Sequence, residues 1–153
     1  MHTIPEEEAR ALLRSPLVCE EVGAWTPQKV QPGVVSCGAG VLSMDGQSVH
    51  MYVDLSYQRT QKTRMTKYIF TVFKRQRFGI ERVYQLEVTQ TPKRIKDTHR
   101  LSHEHIGLLR TLGDASWSEW VYHDVLAHFC ESANITFAPQ PAHPEDFHLT
   151  ADR

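Results

Sequence analysis

The sequence predicts one α+β domain: an antiparallel sheet of about five strands, packed by a C-terminal amphipathic helix, with a short N-terminal helix. Three observations carry this prediction. Apolar and polar residues alternate through the middle of the 153-residue chain, which is the period of half-buried strands. Short turns join these segments, so consecutive strands should pair as antiparallel neighbours. A stripe of apolar residues four positions apart follows them, as in a helix that packs on a sheet.

Residues 1–33 are predicted to form a helix followed by a loop. Pro5 suits the first turn of a helix, and the three glutamates after it complement the positive end of the helix dipole. Pro16 ends this helix, because the residue before a proline avoids helical geometry. Two prolines and a glycine in residues 25–33 then predict a loop.

Residues 34–109 are predicted to form a β-meander. Asp45-Gly46 is the strongest hairpin signal in the chain, because this dipeptide favours a tight turn with positive φ angles. After it, Met51, Val53 and Leu55 alternate with more polar residues, as in a half-buried strand. The five predicted strands cover residues 34–44, 49–58, 67–74, 80–89 and 103–109.

Residues 114–134 are predicted to form the second helix. Ser116 followed three residues later by Glu119 is the pattern of a capping box, so the helix should begin there. Three prolines interrupt residues 135–153, which are expected to lie extended along the domain. No repeat and no second core separates these parts, so residues 1–153 are one predicted domain. The apolar stripe of the second helix consists of Val121, Val125, Phe129 and Ala133.

The net charge of −1 conceals a strong asymmetry. Residues 58–100 contain twelve Lys/Arg and three Asp/Glu, a local balance of +9. The rest of the chain contains five Lys/Arg and fifteen Asp/Glu, a balance of −10, and the two balances sum to −1. Charge separated in this way can steer a polyanion to one side of a protein. A solvated sheet surface whose lysines discourage edge-to-edge pairing would have the same composition, so both interpretations stay open.

The composition favours a cytoplasmic protein. No apolar run reaches the length of a membrane span, and the acidic N-terminus lacks the basic and apolar segments of a signal peptide. Cys19, Cys37 and Cys130 are an odd set without paired spacing, so no disulfide framework is expected. We therefore expect no membrane partner.

The richest set of chemically active side chains lies in residues 98–105. In a strand, His103 and His105 would point to one side and Glu104 to the other. RNA cleavage needs a base for the 2′-hydroxyl, an acid for the leaving oxygen and cations for the charge on phosphorus, and histidine can serve as base or acid. His103 and His105, together with His99, are therefore the predicted catalytic residues, although a polar sheet face can carry two histidines without any function. The predicted phosphate-binding residues are Arg59, Lys62, Arg64, Lys93, Arg94, Lys96 and Arg100.

A zinc site is an alternative use of the same histidines. His103 and His105 would need partners from the second helix, where His123, His128 and Cys130 are the candidate ligands. Most of these lie away from the apolar stripe that should face the sheet, and no Cys-x-x-Cys or His-Glu-x-x-His spacing occurs. The sequence therefore predicts no metal and no cofactor.

Aromatic residues mark two further candidate surfaces. Tyr52, Tyr68 and Phe70 are interleaved with the basic strands, where most should be buried and some could stack on bases. Trp120 points off the apolar stripe of the second helix and is the predicted partner surface, although packing of the C-terminal tail would explain it equally well.

Several segments occur in an order that matches a known group of proteins. These segments are residues 51–55, 67–71, 84–88, 99, 103–105, 125–130 and 134–135. In their order the chain resembles a loosely characterised group of small bacterial and phage proteins related to RelE-like ribonuclease toxins. The resemblance covers roughly the last two-thirds of the chain, and Ser102 stands where that group tends to have proline.

The resemblance implies a compact ribonuclease-toxin fold, an RNA substrate and an antitoxin partner. The predicted function is a metal-independent endoribonuclease of the toxin–antitoxin type that uses histidine acid/base chemistry. The alternative is a non-catalytic inhibitor encoded by a phage or mobile element, of the anti-defence type, that binds a nucleic acid or a host protein. The histidine pair discriminates between them, because only the nuclease should lose its activity when His103 and His105 are replaced.

Overall fold

The structure is a computed structural model that describes residues 2–60, 65–90 and 101–146. The helices of these residues include α1 (Glu6–Leu12), α2 (Tyr122–Ala133) and a 3-10 helix at Ala115–Glu119, and residues 144–146 are also helical. The strands are β1 (His2–Thr3), β2 (Leu17–Cys19), β3 (Thr26–Pro27), β4 (Val34–Ser43), β5 (Ser48–Arg59), β6 (Thr66–Gln76), β7 (Gly79–Thr89), β8 (His103–Ile106), β9 (Leu109–Leu112) and β10 (Ile135–Phe137).

The described strands form one ten-stranded mixed sheet, so the predicted fold class is wrong. The order is β10-β2-β4-β5-β6-β7-β8-β9, with β1 beside β7 and β3 beside β4. β1 pairs with β7 and β10 with β2 in parallel, where the sequence predicts an antiparallel sheet of about five strands packed by a C-terminal helix. The unpredicted strands β1, β2, β3 and β10 have only two or three residues, too few to show alternation. Their pairing depends on distant parts of the chain, which local patterns do not record.

The four long central strands follow the alternation in the sequence. β4, β5, β6 and β7 each begin and end within two residues of their predicted bounds. Asp45-Gly46 forms the turn between β4 and β5, and Gly46 has a φ angle of 84°, as this kind of turn requires.

The predicted fifth strand is two strands, β8 and β9, joined in a hairpin at Gly107. This glycine has a φ angle of +54°, and a Cβ atom on it would lie 2.5 Å from the carbonyl oxygen of Ile4. Both the turn and the close approach of the backbone therefore require glycine at this position. The sequence pattern did not reveal this reversal, because Ile106, Leu108 and Leu109 read as one continuous apolar run.

The register of the central strands gives the sheet two different faces. Leu55, Phe70 and Leu86 lie opposite one another on β5, β6 and β7, and at most 1% of each is exposed. We call their side the covered face. The alternate residues, such as Ile69 and Glu87, are half-buried and point to the other side, which we call the open face.

Helix α2 packs on the covered face. The ring of Phe129 lies 5.7 Å from that of Phe70 and 5.8 Å from that of Tyr84, measured between centroids. The predicted start of this helix at Ser116 is wrong, because the 3-10 helix occupies that segment and α2 begins at Tyr122. Of the helices described, none is long and apolar enough to cross a membrane.

Candidate functional site

The open face aligns side chains from four neighbouring strands. One cross-strand row runs from Asp54 on β5 through Thr71 and Gln85 to His105 on β8. His103 stands two residues from His105 on the same face, in the next row. The structure therefore brings together the two predicted catalytic histidines, and it adds a polar row that reaches across the sheet to Asp54.

His103 is held by contacts within the protein. Its Nδ1 lies 2.8 Å from the carbonyl oxygen of Leu101, and its Nε2 lies 3.2 Å from the carboxylate of Glu87. Both partners accept hydrogen bonds, so both ring nitrogens are positioned to donate. Only 8% of the residue is exposed. His103 can therefore exchange a proton with a bound molecule only if one of these contacts opens.

His105 has a different environment from its neighbour. The two ring centroids are 5.1 Å apart, but no hydrogen bond to the ring of His105 occurs within the described residues. Burial is the main cause that lowers the pKa of His105 to about 4, and the charges of Arg82, His103 and Arg110 contribute. The imidazole is therefore neutral at neutral pH and has a lone pair that can accept a proton.

The hydrogen bonding of the Arg82 guanidinium is incomplete within the described part of the chain. Its Nη1 donates to the side-chain oxygen of Gln85 at 3.2 Å, and Gln85 donates in turn to Thr71 at 3.0 Å. Its Nε is buried, and no acceptor contacts it within the described residues. Burial lowers the pKa of Arg82 from its usual value, although guanidinium stays charged at neutral pH. A buried N–H on a charged group without an acceptor is costly, so an anion next to this guanidinium would stabilise it.

An aromatic pair lies on the open face beside Arg82. Tyr52 and Phe73 face each other on β5 and β6, with ring centroids 5.1 Å apart and planes inclined by 27°. Phe73 also pairs with Arg82 across β6 and β7. The guanidinium of Arg75 lies 5.0 Å from the centroid of the Tyr52 ring. This end of the face therefore combines flat rings with positive charge, which is a surface on which nucleobases and guanidinium groups stack.

The predicted phosphate-binding residues are mostly outside the described part of the chain. Arg59 is described, and its Nη1 lies 2.7 Å from the carboxylate of Glu145, so its charge is compensated locally. The residues that fall outside the described ranges are Lys62, Arg64, Lys93, Arg94, Lys96, Arg100 and the predicted catalytic residue His99.

A second polar cluster lies on the covered face. Glu104 accepts a hydrogen bond from the hydroxyl of Tyr84 at 2.7 Å and lies 3.1 Å from Nε2 of His128. The hydrogen bond from His128 is the main cause that lowers the pKa of Glu104. Ser132 Oγ lies 3.3 Å from the same Nε2. One nitrogen cannot both donate to Glu104 and accept from Ser132, so this arrangement does not activate Ser132 as a nucleophile.

Trp120, the predicted partner surface, is half-buried in the described structure. Its ring stacks on Trp117 with centroids 4.8 Å apart, and both rings lie beside His128, at 5.3 Å and 4.8 Å. The pair therefore covers the Glu104 cluster from one side. Its role as a partner surface stays a prediction.

The candidate zinc ligands are on opposite sides of the sheet. His103 and His105 are on the open face, whereas His128 contacts Glu104 on the covered face. Among the residues that the structure describes, no group of three or more His, Cys, Asp or Glu side chains is arranged to hold a metal ion.

Arg82, Gln85 and Asp54 are site residues that the sequence pattern did not predict. The alternation in β7 could have placed Gln85 on the open face beside the predicted histidines. Arg82 could not be placed in this way, because strict alternation would put it on the covered face with Tyr84. The register shift between Val72 and Phe73 moves it to the open face, and nothing in the local sequence reveals that irregularity.

No family model, curated protein or solved structure matches the chain. The predicted relation to RelE-like ribonuclease toxins therefore stays a prediction, as do the antitoxin and host-protein partners.

Proposed function

We propose that this protein binds single-stranded RNA on its open face, with a backbone phosphate at Arg82 and His105. The observation that carries this proposal is the placement of two guanidinium groups beside His105, those of the half-buried Arg82 and of Arg110, which is opposite His105 on β9. Guanidinium groups bind phosphate through two parallel hydrogen bonds.

The neighbouring aromatic pair favours a single strand as the nucleic acid. Tyr52 and Phe73 are half-buried on the same face and adjoin Arg82 through the register of β6 and β7. Unpaired bases can splay out and stack on such rings, whereas the bases of a duplex are already stacked on each other. The excess of positive charge in residues 58–100 adds a sequence-independent attraction for the backbone.

Cleavage of the bound RNA is a second candidate function, and the state of His105 favours it. This neutral ring has no hydrogen bond within the described residues and lies beside two arginines. It could take the proton of a 2′-hydroxyl while the 2′-oxygen attacks the adjacent phosphorus. The products are a 2′,3′-cyclic phosphate and a 5′-oxygen, which is protonated by water. Arg82 would stabilise the charge on the phosphorane oxygens. His103 has no role as the acid here, because its nitrogens are engaged by Leu101 and Glu87.

The binding proposal is tested by replacing one arginine on the open face and one away from it. Arg82→Gln should weaken binding of a labelled oligouridine in fluorescence anisotropy and lower the slope of log K against log salt by about 1. Arg77→Gln, at the exposed tip of the β6–β7 hairpin, removes the same charge and is the matched control. Equal losses in the two variants, or no binding of the oligouridine by the wild type, would contradict the proposal.

The cleavage proposal is tested on the same oligonucleotide with chelator present. His105→Gln should lower the cleavage rate about 10²- to 10⁴-fold, the usual contribution of a general base, and should weaken RNA binding less than Arg82→Gln does. In the wild type, the rate should rise with pH through about 4, because His105 must lose its proton, and stay level above that. A DNA oligonucleotide of the same sequence lacks the 2′-hydroxyl and is the control substrate. If the wild type binds RNA without cleaving it, the protein is a binding module only.

A further inference from the structure

A groove on the open face lies between β4 and β5, away from the phosphate site. Its volume is about 630 Å³, and its lining residues include Gly38, Gly40, Tyr52, Asp54 and Arg75. Asp54 belongs to the cross-strand row that ends at His105, three strands away. With strands about 4.8 Å apart, the groove lies roughly 14 Å from His105 along the sheet. One extended RNA strand could therefore contact both places.

The floor of the groove is flat because two glycines leave the surface of β4 bare. Gly38 and Gly40 lie opposite Asp54 and Tyr52 in the register of β4 and β5. A Cβ on Gly40 would meet no atom within 4 Å, so only the missing side chain keeps this space empty. A Cβ on Gly38 would lie 3.0 Å from the carbonyl oxygen of Val53, which is a tight contact. A planar group can therefore lie directly on the backbone here.

Asp54 supplies the groove with a carboxylate that no side chain of the described residues pairs with. It makes no hydrogen bond or ion pair within the described residues. Burial raises its pKa, so the ionised form would gain from donors that are not present in the protein. Arg75 does not neutralise it through an ion pair, and its guanidinium lies over Tyr52. The exposed Glu21 also lines the groove, so two acidic residues and one arginine surround it.

We propose that this groove is a base-recognition subsite for guanine, with the Asp54 carboxylate accepting hydrogen bonds from guanine N1–H and the exocyclic 2-amino group. The inference rests on the proposed binding of single-stranded RNA and names the base that the open face selects. The base would lie over the glycines of β4, with Tyr52 and Arg75 at its edge.

The charges of the groove distinguish guanine from the other parts of a nucleic acid. Its acidic excess disfavours a phosphate, which belongs instead at Arg82. A carboxylate offers two acceptor oxygens, and guanine presents two adjacent donors to them. Adenine, cytosine and uracil lack two adjacent donors on that edge, so each would leave one acceptor of Asp54 unpaired.

The first test compares three mononucleotides that differ only at the recognised edge. Guanosine, inosine and adenosine 5′-monophosphates are titrated into the full chain, with binding followed by NMR chemical shifts. Guanosine monophosphate should bind about tenfold more tightly than inosine monophosphate, which lacks the 2-amino group, and adenosine monophosphate should bind weakest. Acetyl-arginine amide is the competing ligand, because its guanidinium also presents paired donors.

The second test uses variants of the groove. Asp54→Asn removes one acceptor, and Gly40→Val fills the space above β4 without a clash, so both should abolish the preference for guanosine over adenosine monophosphate. Ser36→Val is the matched control, since it places valine on the same strand and face outside the groove. Circular dichroism melting checks that each variant is folded.

The outcomes separate this inference from the proposed function. Loss of the guanosine preference in Asp54→Asn and Gly40→Val, and its retention in Arg82→Gln and Ser36→Val, would support the subsite. Equal affinity for the three nucleotides, unchanged preference in Gly40→Val, or tighter binding of acetyl-arginine amide than of guanosine monophosphate would overturn it. If oligouridine still binds through Arg82 in those cases, the proposed function stands without the base subsite. If guanosine monophosphate binds as expected and oligouridine does not, the proposed phosphate site at Arg82 is contradicted instead.

Discussion

Two neighbouring residues of β8 show how differently the two faces of the sheet treat polar groups. Glu104 points to the covered face, where Tyr84 and His128 donate hydrogen bonds to it. His105 points to the open face, and its ring has no hydrogen bond within the described residues. Within the described residues, Asp54 and the Nε of Arg82 also have no hydrogen-bond partner on that face. These unpaired groups lie on the open face, next to paired groups such as His103 and Glu87, whereas Glu104 on the covered face is paired.

This difference has an energetic meaning. A buried polar group that has its hydrogen bonds contributes to stability, whereas one without them costs free energy. The covered face therefore consists of groups that stabilise the fold. The open face keeps groups that a fold selected only for stability would lose, and such groups mark functional sites. Four predictions test this comparison between the faces.

The largest expected effect concerns two adjacent residues of β6. Phe70 lies on the covered face with 0% exposure, whereas Ile69 is half-buried on the open face. Phe70→Ala should lower the free energy of unfolding by about 3–5 kcal/mol, because it leaves a cavity between α2 and the sheet. Ile69→Ala should cost about 1 kcal/mol or less. Urea denaturation of both variants measures the difference, and equal losses would show that an ordered layer also covers the open face.

The second largest loss of stability is expected when Glu104 is replaced. Glu104→Ala leaves the Tyr84 hydroxyl and His128 without their acceptor and should cost about 1–3 kcal/mol. Glu131→Ala, at an exposed position on α2, is the matched control and should change stability little. The same denaturation experiment at neutral pH compares the two variants.

The effect of Glu104 should also depend on pH. Because the folded protein lowers the pKa of Glu104 below its usual 4.5, the unfolded chain takes up the proton first as the pH falls. The stabilisation by the carboxylate is therefore complete above about pH 4.5 and is lost as the pH falls through the lowered pKa. A difference between wild type and Glu104→Gln that stays constant into strong acid would contradict the hydrogen-bonded arrangement.

The sequence predicted the parts of the molecule that local patterns determine. Long alternating strands such as β5 and the turn at Asp45-Gly46 were found, and His103 and His105 were placed on one side of a strand. The short parallel strands were missed, because their pairing is decided by packing between distant segments. The start of α2 was also missed, because Asp114 caps a 3-10 turn that the capping-box pattern does not distinguish.

The candidate site was predicted only in part, for a related physical reason. Sequence pattern identifies side chains that can do chemistry, but it cannot show which of them lack a partner. His103 and His105 were equivalent in the sequence and are not equivalent in the structure, because Glu87 on the adjacent strand holds only His103. The position of Arg82 on the open face depends on a register shift, and Asp54 is opposite Gly38, which has no side chain that could pair with it.

The smallest expected effect on the free energy of unfolding comes from replacing Asp54, and it is a stabilisation rather than a loss. Burial raises the pKa of Asp54 above its usual 3.8, so the folded protein holds this proton to a higher pH than the unfolded chain does. Asp54 therefore costs stability as the pH rises through that raised pKa. Asp54→Asn should be more stable than the wild type at neutral pH by about 0.5 kcal/mol, and the difference should vanish below about pH 3.8.

The pH profiles of the two carboxyl variants form the sharpest test of the comparison. At neutral pH, replacing Glu104 should destabilise the protein and replacing Asp54 should stabilise it, although both changes remove one negative charge. Urea denaturation across the acidic range measures both profiles, with Glu131→Gln as the control for the general effect of charge. If both variants are less stable than the wild type, Asp54 has a partner in the folded protein. Its carboxylate would then not be available to accept hydrogen bonds from a ligand in the groove.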